Sequence, residues 1–419
     1  MTVVELFDVS PLQNLSGALT VPADIVYFVG SNYKKMVDSK SVYEKVFLRL
    51  GINAEIRIVS IPKYDIGYAV EKFCEIAQSD TDVVFDVSGG DDYILAAAGI
   101  AAEKSASRGV NVQHFSVRSQ KYVCFGNNCC APHIGGRAEL SADEVIELHG
   151  GKIVYADQKR SGTVIWDFVK DGFSQDLEKM WEICRTDCRS WNRYSSRMGE
   201  LENFAHGNLK DLRKANLNIC ISKRAANSKG KASLIADLKK HLDELSLYGL
   251  IKEYENTNET LRFSFKNEQI RQCLLKAGNV LELVCYNAAK TATNKKGKAV
   301  YNDALCGVVL DWDGIIHTGN ASVNDTENEI DGLYIKGMVP VFVSCKNGGV
   351  DENELYKLCS VAQKFGIKYA KKVLVATDLQ KNYASLQRFN SRASQMGVQV
   401  IDGVHKMTFE ELTRKLASV

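Results

Sequence analysis

Short runs of Val, Ile and Phe recur along the first third of the chain, each followed by a longer segment whose apolar residues fall at helical spacing. The runs Asp24 to Gly30 (DIVYFVG), Ala54 to Ile61 (AEIRIVSI), Asp82 to Gly90 (DVVFDVSGG) and Val110 to Val117 (VNVQHFSV) read as strands. The intervening IGYAVEKFCEIAQ and YILAAAGIAAEKSA read as helices. Strand and helix in alternation imply a parallel sheet covered by helices, an open Rossmann-like α/β unit. From Trp166 to Lys276 the pattern turns mostly helical. Leu234, Leu238, Leu242 and Leu245 mark one apolar face, and GLIKEYENTNETLRFSF after it reads as two strands joined by a polar turn. A helix followed by such a wing suggests a winged-helix-like module, a unit that in other proteins either binds DNA or connects domains.

From Gly278 onward the order is helix (VLELVCYNAAK), three strands (CGVVLDW, NEIDGLYI, VPVFVSCK), helix, strand (KKVLVAT), helix and strand (VQVID). The expected architecture is therefore an α/β protein in three parts: residues 1–155, a Rossmann-like unit; 156–275, a helical and winged-helix-like connector; and 276–419, a mixed α/β unit.

Charged residues interrupt the second and third of those central strands. With period-two alternation, Glu329 and Asp331 share one face of the first of the pair, and Ser344 and Lys346 share one face of the next. Glu282, set between Leu281 and Leu283 in the preceding helix, can aim at the same place. Strands placed only to bury a core would not carry this set. Carboxylates beside a lysine suit a divalent cation held by oxygen ligands and a phosphodiester attacked by water, whereas surface ion pairs at strand ends are the structural alternative.

In the first unit, FDVSGGDDY is a strand, a glycine pair and a helix start. Gly89 and Gly90 let the backbone turn sharply, and the N–H groups of the following helix suit a phosphate, although Asp91 and Asp92 also suit simple capping.

Composition narrows the classes. The chain has 419 residues, 45% hydrophobic and 25% charged, with net charge +2, so it is not basic overall and would meet a polyanion through local patches. Nine Lys or Arg lie between Lys210 and Lys240 against Asp211 and Asp237, and a second basic stretch is KTATNKKGKAVY from Lys290. Either is a solvated face or a phosphate-contacting surface. No apolar run approaches the ~18 residues of a membrane span, and a cytoplasmic protein without membrane contact is expected. The twelve cysteines read mainly as small buried hydrophobes. Cys124, Cys129, Cys130 and His133 lack the paired spacing of a zinc site, and Cys184 and Cys188, four apart on a helix, are no stronger as ligands.

The C-terminal unit resembles the PD-(D/E)xK restriction-endonuclease-like nucleases on Glu282 in the helix, Asp331 in the strand and the SCK of Ser344 to Lys346. The resemblance implies Glu282, Glu329 and Asp331 as ligands of Mn²⁺ or Mg²⁺ and Lys346 as the residue acting on the nucleophile or phosphate. Ser344 stands where that family usually has Glu or Asp, which leaves Glu329 or Glu282 to supply the missing charge. FDVSPLQN (Ser10, Asn14), FVGSNYKKM (Gly30, Ser31, Asn32) and Ser88, Gly89, Gly90, Asp91, Asp92 resemble the ligand loops of CARF domains, the cyclic-oligoadenylate sensors of type III CRISPR antiviral defence. The last of these loops carries two acids where the family typically has a basic residue. Taken together, the chain resembles CARF nucleases with one N-terminal CARF domain and one C-terminal nuclease. That resemblance implies a homodimer activated by cyclic tetra-adenylate or cyclic hexa-adenylate and cutting DNA, RNA or both. Two other readings stay open: a ligand-responsive DNA-binding regulator with an inactive nuclease-like domain, and an enzyme that degrades the cyclic oligoadenylate itself.

Overall fold

The computed structural model describes residues 1–419 apart from 81, 126–137, 158–159, 207–216, 318–325 and 380–381. Three sheets organise it. The first contains β1 (Thr2–Leu6), β2 (Ile25–Gly30), β3 (Glu55–Ser60), β4 (Val83–Asp86), β5 (Asn111–Ser116) and β6 (Lys121–Phe125), in the order β3-β2-β1-β4-β5-β6. All neighbours are parallel except β5 and β6. The strand order reverses at β1, which separates the β2/β3 side from the β4 side, the arrangement of an open Rossmann-like sheet. Alternation along the strands sorts the core. Val3, Val26, Phe28 and Ile56 face helix Tyr33–Arg49, while Val4, Val29 and Phe85 face helices Ile66–Ser79 and Asp92–Lys104. The central strand β1 was not among the strands expected from the pattern. Its fully buried TVVEL includes Glu5, a charged residue inside a strand.

Strand β7 (Lys152–Val154) leaves this unit and pairs with the C-terminal sheet, and the capped helix Ala142–Leu148 just before it packs there too. The connector has two long helices, Phe173–Thr186 and Cys188–His206. A three-stranded antiparallel sheet follows, β8 (Asn218–Ser222), β9 (Ile251–Asn256) and β10 (Thr260–Phe265), in the order β8-β10-β9. The expected wing is the β9–β10 hairpin, and the expected leucine face is helix Ala232–Leu247, whose Leu234, Leu238, Leu242 and Leu245 are all buried.

The last sheet holds β11 (Asp303–Asp311), β12 (Glu327–Lys336), β13 (Val339–Lys346), β14 (Lys371–Ala376) and β15 (Val398–Ile401), in the order β15-β14-β13-β12-β11-β7. One face, with Tyr334, Val341, Val343 and Val373, joins the core of helix Asn279–Thr291 and the connector. The other, with Leu333, Ile335, Phe342 and Leu374, joins a core reaching back to β1 and β2. This sheet is thus packed on both sides, with helix Asn279–Thr291 on one face and helices Ala142–Leu148 and Asn353–Gly366 on the other.

Among the described residues, no helix is long and apolar enough to cross a membrane. Of their nine free cysteines, five are buried. Cys124 is disulfide-bonded, and Cys129, Cys130 and His133 lie outside the described residues.

Candidate functional site

Glu282, Asp331, Ser344 and Lys346 come together where strand pairing in the last sheet gives way. The β12–β13 register runs from Lys336↔Val339 to Gly332↔Val343 and stops one residue short of Asp331. On the other side, the β11–β12 ladder runs to Cys306↔Gly332, passes over the next position and resumes at Val308↔Ile330. The residue of β11 facing that gap is Gly307, at φ +58°, a conformation that disfavours a side chain. Asp331 is therefore held by its own carboxylate: Oδ2 accepts the Cys345 backbone N–H at 2.6 Å and the Ser344 hydroxyl at 3.3 Å. Lys346 Nζ lies 3.7 Å from the same oxygen.

Helix Asn279–Thr291 starts against this gap, with Glu282 in its first turn and buried. A Cβ at Gly278 would stand 2.6 Å from Glu282 Oε1, so glycine there leaves room for the carboxylate. Burial pushes the Glu282 carboxyl up to about 8, and the neighbouring Asp331 adds to the rise, while Lys276 opposes it. Asp331 is raised by burial as well, with Lys346 and the Cys345 N–H pulling it back. Burial alone would lower the Lys346 ammonium, but Asp331 and Glu354 outweigh it and hold it above its usual value.

Glu329 stands at the rim of this group, near enough for its charge to raise the carboxyls of Glu282 and Asp331. Its carboxylate is ion-paired to Lys276, at the end of the connector, and both side chains are about half exposed. Glu282 and Glu329 line a cavity of about 470 Å³ between the connector and the sheet, with Trp166, Arg271, Lys276 and Gly307 also in its wall. Among the described residues, no group of three His, Cys, Asp or Glu side chains is gathered as a ready-made metal cage. The pair Glu282 and Asp331 nevertheless fits a divalent cation: two hard oxygen donors, both made to hold protons more tightly than usual chiefly by burial.

Two residues of this neighbourhood escaped the pattern. Lys276 and Glu354 lie outside the charged strand segments, and only the fold brings them in. Glu354, in the first turn of helix Asn353–Gly366, places Oε2 3.1 Å from Lys346 Nζ.

The second expected site is a cavity of about 610 Å³ at the C-terminal ends of β1, β2 and β4, with the loop after β3 adding Lys63 and Tyr64. Four of the ten expected residues line it: Ser31, Asn32, Asp91 and Asp92. Asp91 does not cap its helix through its side chain. It accepts a hydrogen bond from the Ser31 hydroxyl at 2.9 Å. The other six are not in its wall. Asn14 bonds Asp8 N, Asp8 O and Tyr43, Ser88 Oγ accepts Phe115 N–H at 2.7 Å, and Ser10 is fully buried. Side chains at Gly30, Gly89 and Gly90 would press into Phe7, Asp8 and Leu6 respectively. Residues that the motif reading missed include Asp8, Lys35, Lys63, Tyr64 and Tyr93. Tyr64 is 81% exposed and its ring lies 5.6 Å from that of Tyr93. The signal for Lys63 and Tyr64 was an aromatic and a lysine in the PKYDIG loop after a predicted strand, too common a combination to single out.

In the basic stretches, Arg224, Lys229, Lys239 and Lys240 are exposed, as are Lys290, Lys295, Lys296 and Lys298. Lys231 and Lys239 are drawn to Glu200 and Asp243 at 3.6 and 3.8 Å. Lys210, Arg213 and Lys214 lie outside the described residues.

No protein-family model matches the chain, and no curated protein sequence does. Its fold, however, matches solved structures along its whole length. Protein VC1899 from Vibrio cholerae superposes with a TM-score of 0.71 at 15% identity, covering 100% of this chain and 97% of that one. Can2 from Sulfobacillus thermosulfidooxidans, in complex with cyclic tetra-adenylate, superposes with a TM-score of 0.64 at 14% identity, with the same coverage. The three-part α/β fold expected from the sequence is thus a known arrangement.

Proposed function

We propose that this chain is a divalent-metal-dependent nuclease of type III CRISPR defence, switched on when a cyclic oligoadenylate binds its Rossmann-like unit in a homodimer. The observation that carries the reading is the interrupted ladder around Asp331, which sets two raised-pKa carboxylates beside Lys346, one of them, Glu282, in the wall of a cavity. A core position would not leave such a gap unfilled.

Glu282 and Asp331 are the residues that would hold Mn²⁺ or Mg²⁺. When bound, the ion lowers the pKa of an attacking water and neutralises charge building on the phosphate. Asp331 is fixed for that task by the Cys345 N–H, so its orientation does not depend on the ion. Lys346, held charged by its acidic neighbours, meets the phosphate or the nucleophile. Ser344 contributes a hydroxyl bonded to Asp331 and no charge. Glu329 balances Lys276 at the rim rather than joining the ligand pair. The exposed lysines supply phosphate contacts that follow the backbone without reading sequence.

The fold shared with the cyclic-tetra-adenylate complex of Can2 supports the N-terminal cavity as the activator site. Tyr64 and Tyr93 offer faces on which an adenine stacks, and Lys35 and Lys63 offer charge to phosphates, against Asp8, Asp91 and Asp92 in the same wall. A ring with two-fold symmetry, seated on the axis of a homodimer, makes the same contacts with both chains. It shifts the dimer only through its different fit to open and closed arrangements.

The test is cleavage of supercoiled plasmid, single-stranded DNA and RNA with Mn²⁺, with and without cyclic tetra-adenylate or cyclic hexa-adenylate, in wild type and Lys346→Ala. Cutting that requires one of the rings and disappears in the variant is the expected result. Tyr64→Ala is expected to raise the activator concentration needed about tenfold or more while leaving the saturated rate alone, the effect of losing ~1–3 kcal/mol of stacking. Salt-sensitive duplex binding without cutting under any condition would instead identify a ligand-responsive DNA-binding protein.

A further inference from the structure

A nuclease site of this design is short of one carboxylate, because Ser344 holds the position two residues before the lysine. The fold brings a different one. Helix Asn353–Gly366 follows β13 and packs against it, and its second residue, Glu354, sends a carboxylate back to the strand end. Glu354 Oε2 stands 3.1 Å from Lys346 Nζ, closer than Asp331 at 3.7 Å. Its other oxygen accepts from Lys357 Nζ at 2.9 Å, one turn along the same helix. Lys357 is mostly exposed, whereas the Glu354 side chain is 20% exposed, so its carboxylate is turned towards the site rather than towards solvent.

The geometry is that of a clamp. The Lys346 ammonium is fixed between two carboxylates from different elements, one on the neighbouring strand and one on the following helix. An ammonium on a flexible four-carbon stem gains a defined position only from such partners. Ser344 Oγ, in contrast, donates its hydrogen bond to Asp331.

We infer that Glu354 is a positioning residue of the nuclease site, supplying from the helix the carboxylate that Ser344 does not supply from the strand. The inference rests on the nuclease reading above. Glu354 touches Lys346 and acts through it. Its negative charge also keeps the site's charge balance near that of a site with an acid at position 344. The two positions are ten residues apart in sequence, and they are brought to the same ammonium because the chain reverses direction between β13 and the helix.

The experiment compares initial cleavage rates of the full-length wild type, Glu354→Gln, Glu354→Asp and the double variant Ser344→Glu/Glu354→Gln, with Mn²⁺ and the activating ring. Melting temperatures are read in parallel. Glu354→Gln keeps shape but loses charge, and its single amide oxygen can accept from Lys346 or Lys357 but not both. It is expected to lower kcat about 10- to 100-fold, the usual cost of losing a residue that orients a catalytic group, with KM little changed and melting unchanged. Glu354→Asp is expected to recover part of the rate, and the double variant most of it, because an acid at 344 reaches the same lysine.

A Glu354→Gln rate within twofold of wild type would overturn the inference, as would a loss that only tracks a fall in melting temperature. A double variant no faster than Glu354→Gln would overturn the claim that Glu354 stands in for the acid missing at 344. Failure of the wild type to cut in a Lys346-dependent way is a different result, and it removes the nuclease reading itself.

Discussion

Two neighbouring acids are withdrawn from solvent at each six-stranded sheet, in the first case on its own strands and in the second on a strand and the helix packed against it, and the two pairs have opposite surroundings. In the first sheet, Glu5 on β1 and Asp86 on β4 stand opposite each other in register, both fully buried. Neutral donors meet them: Ala18 N–H reaches Glu5 at 3.0 Å, and Ser88 N–H, Ser16 Oγ and Gln113 Nε2 reach Asp86 at 2.8, 3.2 and 2.6 Å. Gly17 makes the enclosure tight, since a Cβ there would lie 2.8 Å from Glu5 Oε1. At the last sheet, Asp331 on β12 and Glu282 on the helix packed against it have lysines as neighbours, and Glu282 lines a cavity. Burial raises the carboxyl pKa in both pairs. Withdrawal from water is therefore not what distinguishes the proposed nuclease site. The distinction lies in cations placed beside the acids and in access for a substrate.

The largest contrast is expected from removing the aspartate of each pair. Asp331→Asn should reduce cleavage about 10²- to 10³-fold, the cost of losing one electrostatic contact at a reacting centre, with little loss of stability. Asp86→Ala should do the reverse. It strands donors that each cost ~1–3 kcal/mol when unpaired, so urea unfolding should shift strongly. Whatever protein still folds should retain Lys346-dependent cutting at saturating activator. Equal effects of the two substitutions on both readouts would erase the distinction.

A smaller effect separates the two glutamates by pH and metal. A carboxyl that binds its proton more tightly when folded stabilises the fold below its unfolded pKa. For Glu282 that contribution is lost as pH rises from 4.5 towards about 8. Glu5 shifts in the same direction, with burial and then Asp86 as causes. Melting temperature should therefore fall over that range without metal, and Glu5→Gln or Glu282→Gln should each flatten the fall. Added Mn²⁺ should remove the Glu282 part, because the ion favours the ionised carboxylate, and leave the Glu5 part in place. An Mn²⁺ response that persists undiminished in Glu282→Gln would contradict the assignment of this residue as a ligand.

The smallest effect is expected from Ser16→Ala, which removes one hydroxyl donor from Asp86. It should cost ~1 kcal/mol of stability and leave the dependence of cleavage on activator concentration unchanged. A shift in that dependence would join the buried pair to the proposed activator cavity.

Much of this architecture is legible in one dimension, because alternation along a strand and recurrence along a helix are imposed by local backbone geometry. The helix-strand order of the C-terminal unit, the leucine face at Leu234 to Leu245 and the shared face of Ser344 and Lys346 follow from period alone. So does the prediction that Glu282 and Asp331 meet, since a helix packed on a sheet aims one side at it. Other features depended on chain folding across long separations. The short strand β1 carries a glutamate, so its pattern does not look like a central strand until Ala18 and its neighbours enclose that residue. Glu329 pairs with Lys276, 53 residues away, and Glu354 reaches Lys346 from a helix. Local spacing cannot choose such partners, because Coulomb attraction depends on distance in space and on the dielectric around each charge. The glycine-rich loop shows the same limit: its motif marked Gly89 and Gly90 as ligand-facing, but close packing on Leu6 and Asp8 occupies them and leaves the cavity wall to Lys63, Tyr64 and Tyr93.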